Sequence, residues 1–374
     1  MNGYQALVLV SFGGPERPEE VMPFLRQVTA GRGIPENRIE KVARHYYDVG
    51  GASPINGSCR DLLAALRKEL DGLGLALYWG NRNWAPVLAD TVARMRDDGV
   101  ERALAFVTSA YGGYSSCRQY LDDIAAARDA VGAGAPEISK LRLYYNHPGW
   151  VRPWASSLCS ALDEAHRATS ATSATSATST PSATSATSGS TSQDGEPSEP
   201  ADRAGDGDVE VLFSAHSIPL PMARTSPYLE HVTETARLCA EHAGVESWRL
   251  VWQSRSGPPG SPWLGPDVGE VIEASTAKAI VVVPVGFVCD NMEIVHDLDV
   301  EAAAVARQRG ALFFRASTVS TSPAFIGMVR QLVQERLGTS DARAALGPDG
   351  ALGPDGAWPD TCPPGHCPGS MAPG

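Results

Sequence analysis

Apolar residues run unbroken in several short stretches, and the residues that flank each stretch decide what it becomes. Ala6 to Phe12 is a continuous apolar run closed by Gly13, Gly14 and Pro15, the pattern of a buried parallel strand followed by a breaker loop. Leu75 to Gly80 and Glu101 to Tyr111 read as further strands. Between them Arg17 to Val28, Cys59 to Leu70 and Trp84 to Gly99 read as helices, the first with acids in its opening turn. The alternation resumes with strands at Val209 to Pro219, Ser247 to Ser254 and Ala279 to Phe287, and a helix at Tyr228 to Gly244. Strands and helices in this order predict an α/β fold with parallel sheets, in two similar lobes with a cleft between them. The expected segments are a first lobe over 1–150, a bridging helix over 151–167, a second lobe over 208–320 and a terminal helix over 321–338.

Two segments break the pattern. Over 168–207 the triplet Ala-Thr-Ser recurs and gives way to Gly, Ser, Asp, Glu and Pro. Nothing there can bury a core, so a disordered insertion is expected. Over 339–374 the chain is rich in Gly, Pro and Ala, with one hexapeptide in tandem at Ala345–Gly350 and Ala351–Gly356. A flexible tail is expected there. Near its end lie Cys362, His366 and Cys367.

Composition narrows the function. The 374 residues are 43% hydrophobic, enough for a sizeable core. The net charge is −12 and no basic patch stands out, which argues against nucleic acid as a partner. No stretch of roughly 18 apolar residues is present to span a membrane. The chain enters a strand at once, without the basic and apolar regions of an export signal, so a cytoplasmic protein is expected. Seven cysteines in such a setting are core filler or metal ligands rather than disulfides.

Four polar clusters sit at strand ends. Ser11 to Glu16 offers glycines that admit a ligand close to the backbone, and reads equally as an ordinary turn. Gly50 to Gly57 and Tyr111 to Tyr120 combine glycines with Ser, Tyr and Arg donors. Such a set suits a flat apolar ligand with anionic groups, and Arg118 and Tyr120 are candidate carboxylate donors. His216 follows an apolar strand in a Ser-flanked turn, where an imidazole serves structure, proton transfer or metal binding. After the last strand Glu293, Asp297 and Glu301 fall at i, i+4 and i+8, one row on a helix. That row is either a solvated acidic face or a path for protons or hydrated cations.

At these residues the chain resembles the ferrochelatases. Ser11–Glu16, Gly50–Gly57, Tyr111–Tyr120, Phe213–Pro219, Val251–Pro266 and Val283–Glu301 follow that family's motifs in the family's order. The resemblance implies two Rossmann-like lobes around a porphyrin cleft, His216 and Glu293 as catalytic and Fe²⁺-binding partners, and Asp297 and Glu301 as the acidic row behind them. Ser53 and Tyr120 match porphyrin-contacting positions. Phe12 stands where some members place a Tyr, and Asn291 where many carry a His. The implied activity is Fe²⁺ insertion into a porphyrin in haem biosynthesis, with coproporphyrin III expected and protoporphyrin IX the alternative. A chelatase for another metal or tetrapyrrole, and a non-enzymatic haem- or iron-binding regulator, are the competing classes. Some members carry a [2Fe–2S] cluster on four cysteines; here Cys159, Cys362, His366 and Cys367 are the candidate ligands, one cysteine short of that pattern, and a cluster-free tail is the alternative. Cys59, Cys117, Cys239 and Cys289 read as core or loop cysteines. Transient contact with neighbouring haem-pathway enzymes is a further expectation.

Overall fold

The computed structural model describes residues 3–31, 33–177, 207–256, 260, 262–347, 356–362 and 367–368, the side chains of 172–177 excepted. The chain begins with strand β1 (Ala6–Ser11), every residue of it buried. Helices α1 (Pro18–Thr29), α2 (Glu36–Asp48) and α3 (Ile55–Glu69) lead to β2 (Ala76–Asn81). Then come α4 (Leu88–Asp97), β3 (Arg102–Val107), a π-helical turn (Tyr114–Arg118), α5 (Gln119–Val131) and β4 (Glu137–Lys140). The four strands form one parallel sheet in the order β2-β1-β3-β4.

Helix α6 (Pro148–Ala177) crosses to the second half. There β5 (Val209–His216), α7 (Leu220–Arg224), α8 (Tyr228–Ala243), β6 (Arg249–Gln253), α9 (Val268–Ala274) and β7 (Ala279–Val283) follow. Short α10 (Met292–Ile294), a π-helical segment (Val295–Ala302), α11 (Ala303–Gln308) and β8 (Leu312–Arg315) complete it, before α12 (Pro323–Leu337). The second sheet is again parallel, in the order β6-β5-β7-β8. Each half therefore starts on a central strand, builds one neighbour, then reverses to build the other side. The helices switch faces at that reversal and leave a crevice beyond the carboxyl ends of the two central strands.

The halves share one apolar core. Trp150 and Trp154 on α6 are fully buried and meet edge to face at 5.8 Å. Trp150 also touches Tyr144 at 5.5 Å and Phe325 of α12 at 5.8 Å. Tyr111, from the first half, donates its hydroxyl to the Val285 carbonyl of the second at 2.5 Å. Below this core Arg142 and Glu335 form a two-pronged ion pair at 2.7 and 2.9 Å, with both side chains almost wholly buried.

Several expectations change. Helix α6 continues ten residues into the Ala-Thr-Ser segment, to Ala177, where alanines favour helix and Thr169 Oγ1 bonds the Ala165 carbonyl. The remaining residues of that insertion lie outside the described ones. Two edge strands, β4 and β8, and helix α2 had no clear apolar signature. Part of the tail is docked rather than free. Ala345 and Leu346 are buried, Leu346 N donates to the Asn146 main-chain carbonyl while Asn146 Nδ2 donates to the Leu346 carbonyl, and Arg343 pairs with Asp360 at 3.0 Å.

Breaking a buried ion pair from one side leaves the other charge desolvated and alone. Glu335→Ala is expected to cost about 3–5 kcal/mol of unfolding free energy, read from the midpoint of a urea melt.

Candidate active site

His216 is the last residue of β5, so the sheet delivers its side chain to the crevice. Its Nδ1 lies 2.5 Å from the Ser217 carbonyl oxygen, which fixes a proton on that nitrogen and turns Nε2 outward. Tyr228 on α8 donates its hydroxyl to the His216 carbonyl at 3.0 Å. Glu293 comes from the turn that leaves β7, the strand paired with β5. That turn passes so close to β5 that a Cβ on Gly286 would sit 2.6 Å from the Ala215 Cα, hence the glycine. Asn291 then caps α10, its Oδ1 accepting from Ile294 N at 3.0 Å. The residue standing in place of the family's His is thus a helix cap. Together these turns bring Glu293 Oε1 to 3.4 Å from His216 Nε2, with roughly a third or more of each side chain open to water.

Burial opposes a charged imidazole here, but the Glu293 carboxylate, the Ser217 carbonyl and the more distant Asp297 outweigh it. They push His216 up to about 9. At neutral pH the pair is an imidazolium facing a carboxylate.

The acidic row follows on the π-helical segment. Its wider winding keeps Asp297 and Glu301 on the same side and slips His296 between them, Nδ1 at 3.2 Å from Asp297 and 3.8 Å from Glu301. The His45 ring from α2 stacks flat on His296, centroids 3.9 Å apart. The hydrogen bond to Asp297 holds His296 above its ordinary value, against its burial. Burial and then the His296 charge hold His45 below its own. Asp290 and Asp299 are occupied elsewhere, both on Arg315.

An aromatic wall from the first half faces this pair. Phe12, partly exposed, meets Phe24 at 6.3 Å, and Phe24 in turn meets Tyr46 and Trp84 at 6.2 and 5.9 Å. Burial, then the charge of Glu293, raise the phenols of Tyr46 and Tyr228, so both stay neutral beside it. Ser53 is buried, its amide bonding the Pro15 carbonyl.

The chain carries the pattern of the ferrochelatase family model over residues 4–337. A ferrochelatase of Rhodopirellula baltica is 43% identical over 97% of this chain and 93% of that protein. The coproporphyrin III ferrochelatase of Mycolicibacterium smegmatis is 45% identical over 92% of this chain and 94% of its own length. The chain belongs to the ferrochelatase family. It is an enzyme that inserts a metal, ferrous iron, into a porphyrin. The fold agrees with that of a sirohydrochlorin chelatase, SirB, of Bacillus subtilis subspecies spizizenii, solved in complex with cobalt. That structure matches at TM-score 0.50 and 10% identity, over 91% of this chain and 99% of its own. Among the described residues no helix is long and apolar enough to cross a membrane.

Within this ferrochelatase the expected site residues part company. His216, Glu293, Asp297 and Glu301 converge, and Phe12 lies on the facing wall. Tyr120 is buried behind that wall, beneath Arg82, whose guanidinium lies 4.5 Å above its ring and pairs with Asp123. Its hydroxyl is hydrogen-bonded by Thr108 and Arg82. Arg118 turns away from the expected carboxylate role, pairing with Asp122 at 2.9 Å and lending its charge to Cys367.

The thiols are also redistributed. Cys117, on the π-helical turn, is hydrogen-bonded to Cys362, which with burial raises its thiol well above normal. Burial raises Cys367 too, with Cys362 adding to it. Cys159 instead packs on the main apolar core from α6. The internal partner of the tail thiols is therefore Cys117, because the docked tail returns to the first lobe. Asn146 holds the Gly356 carbonyl at 3.1 Å, and Trp358 meets the His231 ring at 4.7 Å. His366 lies outside the described residues. Cys117 is thus bonded to one tail thiol and shifted by the second, Cys367, and cysteine sulfurs are the donors that iron–sulfur clusters use. His296 and Gln253 escaped the sequence reading because each sits in a segment read for another residue, and His45 because the α2 segment carried no signal that was read.

Replacing Glu293 by Gln removes the charge that supports the imidazolium. The His216 pKa is expected to fall from about 9 to near or below 6.5, read by NMR titration of the imidazole. The raised value stabilises the fold below pH 6.5 and is lost as pH climbs through 9. Wild-type stability should fall across that window, and the Gln variant should lack this component.

Proposed function

We propose that the chain inserts Fe²⁺ into coproporphyrin III to give coprohaem, with His216 and Glu293 as the reacting pair. Support for the substrate comes from the relatives named for it, at 42–45% identity in Nocardia, Mycolicibacterium, Mycobacterium and Streptomyces. Support for the pair comes from one observation: an imidazole and a carboxylate 3.4 Å apart at the mouth of the crevice.

The chemistry follows from what a free porphyrin lacks. Its nitrogen lone pairs lie in the ring plane and two N–H protons fill the centre. Iron enters only when the ring buckles and both protons leave: Fe²⁺ plus the free base gives the iron porphyrin plus two protons. A crevice shaped to the buckled ring lowers that barrier. The wall of Phe12 and Tyr46 supplies the apolar face against which the macrocycle lies. Imidazole and carboxylate are suitable iron(II) ligands with exchangeable positions. The imidazolium must first give up its proton, so iron and proton compete at His216. Asp297, Glu301 and the His45–His296 stack provide a charged route between the pair and solvent.

The same reading assigns a [2Fe–2S] cluster to Cys117, Cys362 and Cys367, with His366 as the fourth ligand. Such a cluster would tie the tail to the first lobe. The protein is placed in the cytoplasm, passing its product to the next haem-pathway enzyme by transient contact.

His216→Ala is expected to bind porphyrin but to lose at least about 100-fold in insertion rate, followed by absorbance. Full activity in that variant rejects the role. Turnover of coproporphyrin III is expected to exceed that of protoporphyrin IX, and the reverse order rejects the substrate. Iron-replete protein should absorb in the visible region. Cys117→Ser should abolish that absorption and Cys159→Ser should keep it.

A further inference from the structure

Gln253 ends β6 with a side chain only 1% exposed. In the sheet order β6-β5-β7-β8 it lies on the far side of β5 from the strand that leads to Glu293. Its main chain pairs in register with His216, and its carbonyl accepts from Ser217 N at 2.8 Å. Its side chain then reaches past the end of β5. Gln253 Oε1 accepts from Ser214 Oγ at 2.9 Å, and Nε2 donates to the Glu293 main-chain carbonyl at 3.0 Å. The orientation of the amide is dictated, since a main-chain carbonyl can only accept. A flipped amide would set two oxygens against each other in a buried place. The next residue adds a second tether. Ser254 has a left-handed backbone (φ 62°), rare for a residue with a Cβ, and its hydroxyl bonds Asp297 Oδ2.

One buried amide is thus bonded to the strand that carries His216 and to the turn that carries Glu293. We propose that Gln253 is a positioning residue for metal insertion: the chain Ser214–Gln253–Glu293 sets the gap between the imidazole and the carboxylate. The inference rests on those two groups being the reacting pair. It goes beyond that reading by saying what sets their distance. The Glu293 turn makes its own cap and is tied to β5 where Gly286 N donates to the Ser214 carbonyl at 3.1 Å, but that bond lies seven residues before Glu293, whereas the Gln253 amide bonds the Glu293 backbone itself. The amide's effect on rate comes through Glu293, not through contact with substrate. A misplacement of about 1 Å at reacting groups costs on the order of 100-fold in rate.

The test is a double-mutant cycle on Ser214 and Gln253. Gln253→Met keeps the side-chain volume and removes both hydrogen bonds. It is expected to lower kcat about 30–100-fold, with the dissociation constant for metal-free porphyrin within about threefold of wild type. Ser214→Ala frees only the far end of the amide and should lower kcat about 3–10-fold. In the double variant the Ser214 change should add nothing, because the chain is already broken. Unchanged kcat in folded Gln253→Met overturns the proposal. So do losses that multiply in the double variant, or kcat and porphyrin affinity falling together. If Gln253→Met does not fold, Ser214→Ala decides alone, and an unchanged kcat rejects the chain. His216→Ala, run alongside, separates the two ideas. An active His216→Ala sinks the catalytic pair itself, whereas an inactive one beside an active Gln253→Met sinks only the positioning role.

Discussion

The approach of His216 Nε2 to Glu293 Oε1 sets the terms for everything around it. Two groups that attract each other when charged are held 3.4 Å apart, His216 at the end of β5 and Glu293 on α10, which follows the neighbouring parallel strand β7. Parallel strands all deliver their carboxyl ends to one side, so residues distant in sequence meet there without a long loop. The remaining requirements are local. The turn after β7 must come close to β5, which calls for Gly286, and the helix that follows needs a cap, which Asn291 provides. The pair is buried enough for its charges to matter and open enough to exchange ligands.

Electrostatics links the halves at the same place. His45 belongs to the first half and His296 to the second, and their rings lie face to face. Two imidazolium rings in contact would repel. The carboxylates of Asp297 and Glu301 favour the charge on His296, while burial and then the His296 charge disfavour one on His45. The acidic row therefore includes a buried imidazole, His296, bonded to Asp297 and stacked on His45 of the opposite lobe.

The tail behaves as part of the fold. Arg142 holds Glu335 on α12 and also the Ala344 carbonyl, so one buried guanidinium fastens both the terminal helix and the chain beyond it. From there the Arg343–Asp360 and Arg336–Asp360 pairs lead the chain back toward Cys117.

Much of the molecule was legible in order of residues alone. Unbroken apolar runs such as Ala6–Phe12 and Ala279–Phe287 declare central parallel strands, because both faces of such strands are covered. The motif residue His216 stands at a strand end that the apolar run locates, and Glu293 on the helix that follows the next such run. The edge strands β4 and β8 left weaker marks, since one side of each is exposed and demands no apolar run. The π winding of Val295–Ala302 was invisible, because spacings of four residues suit either helix. Only the tertiary structure decided that Tyr120 is buried behind the wall, that Arg118 serves Asp122 and that Cys117 meets the tail. Those outcomes depend on which surface a loop or tail packs against. The sequence determined the elements and their chemistry, because these follow from neighbours along the chain. The partners across the fold were set by packing, which brings together residues that no spacing relates.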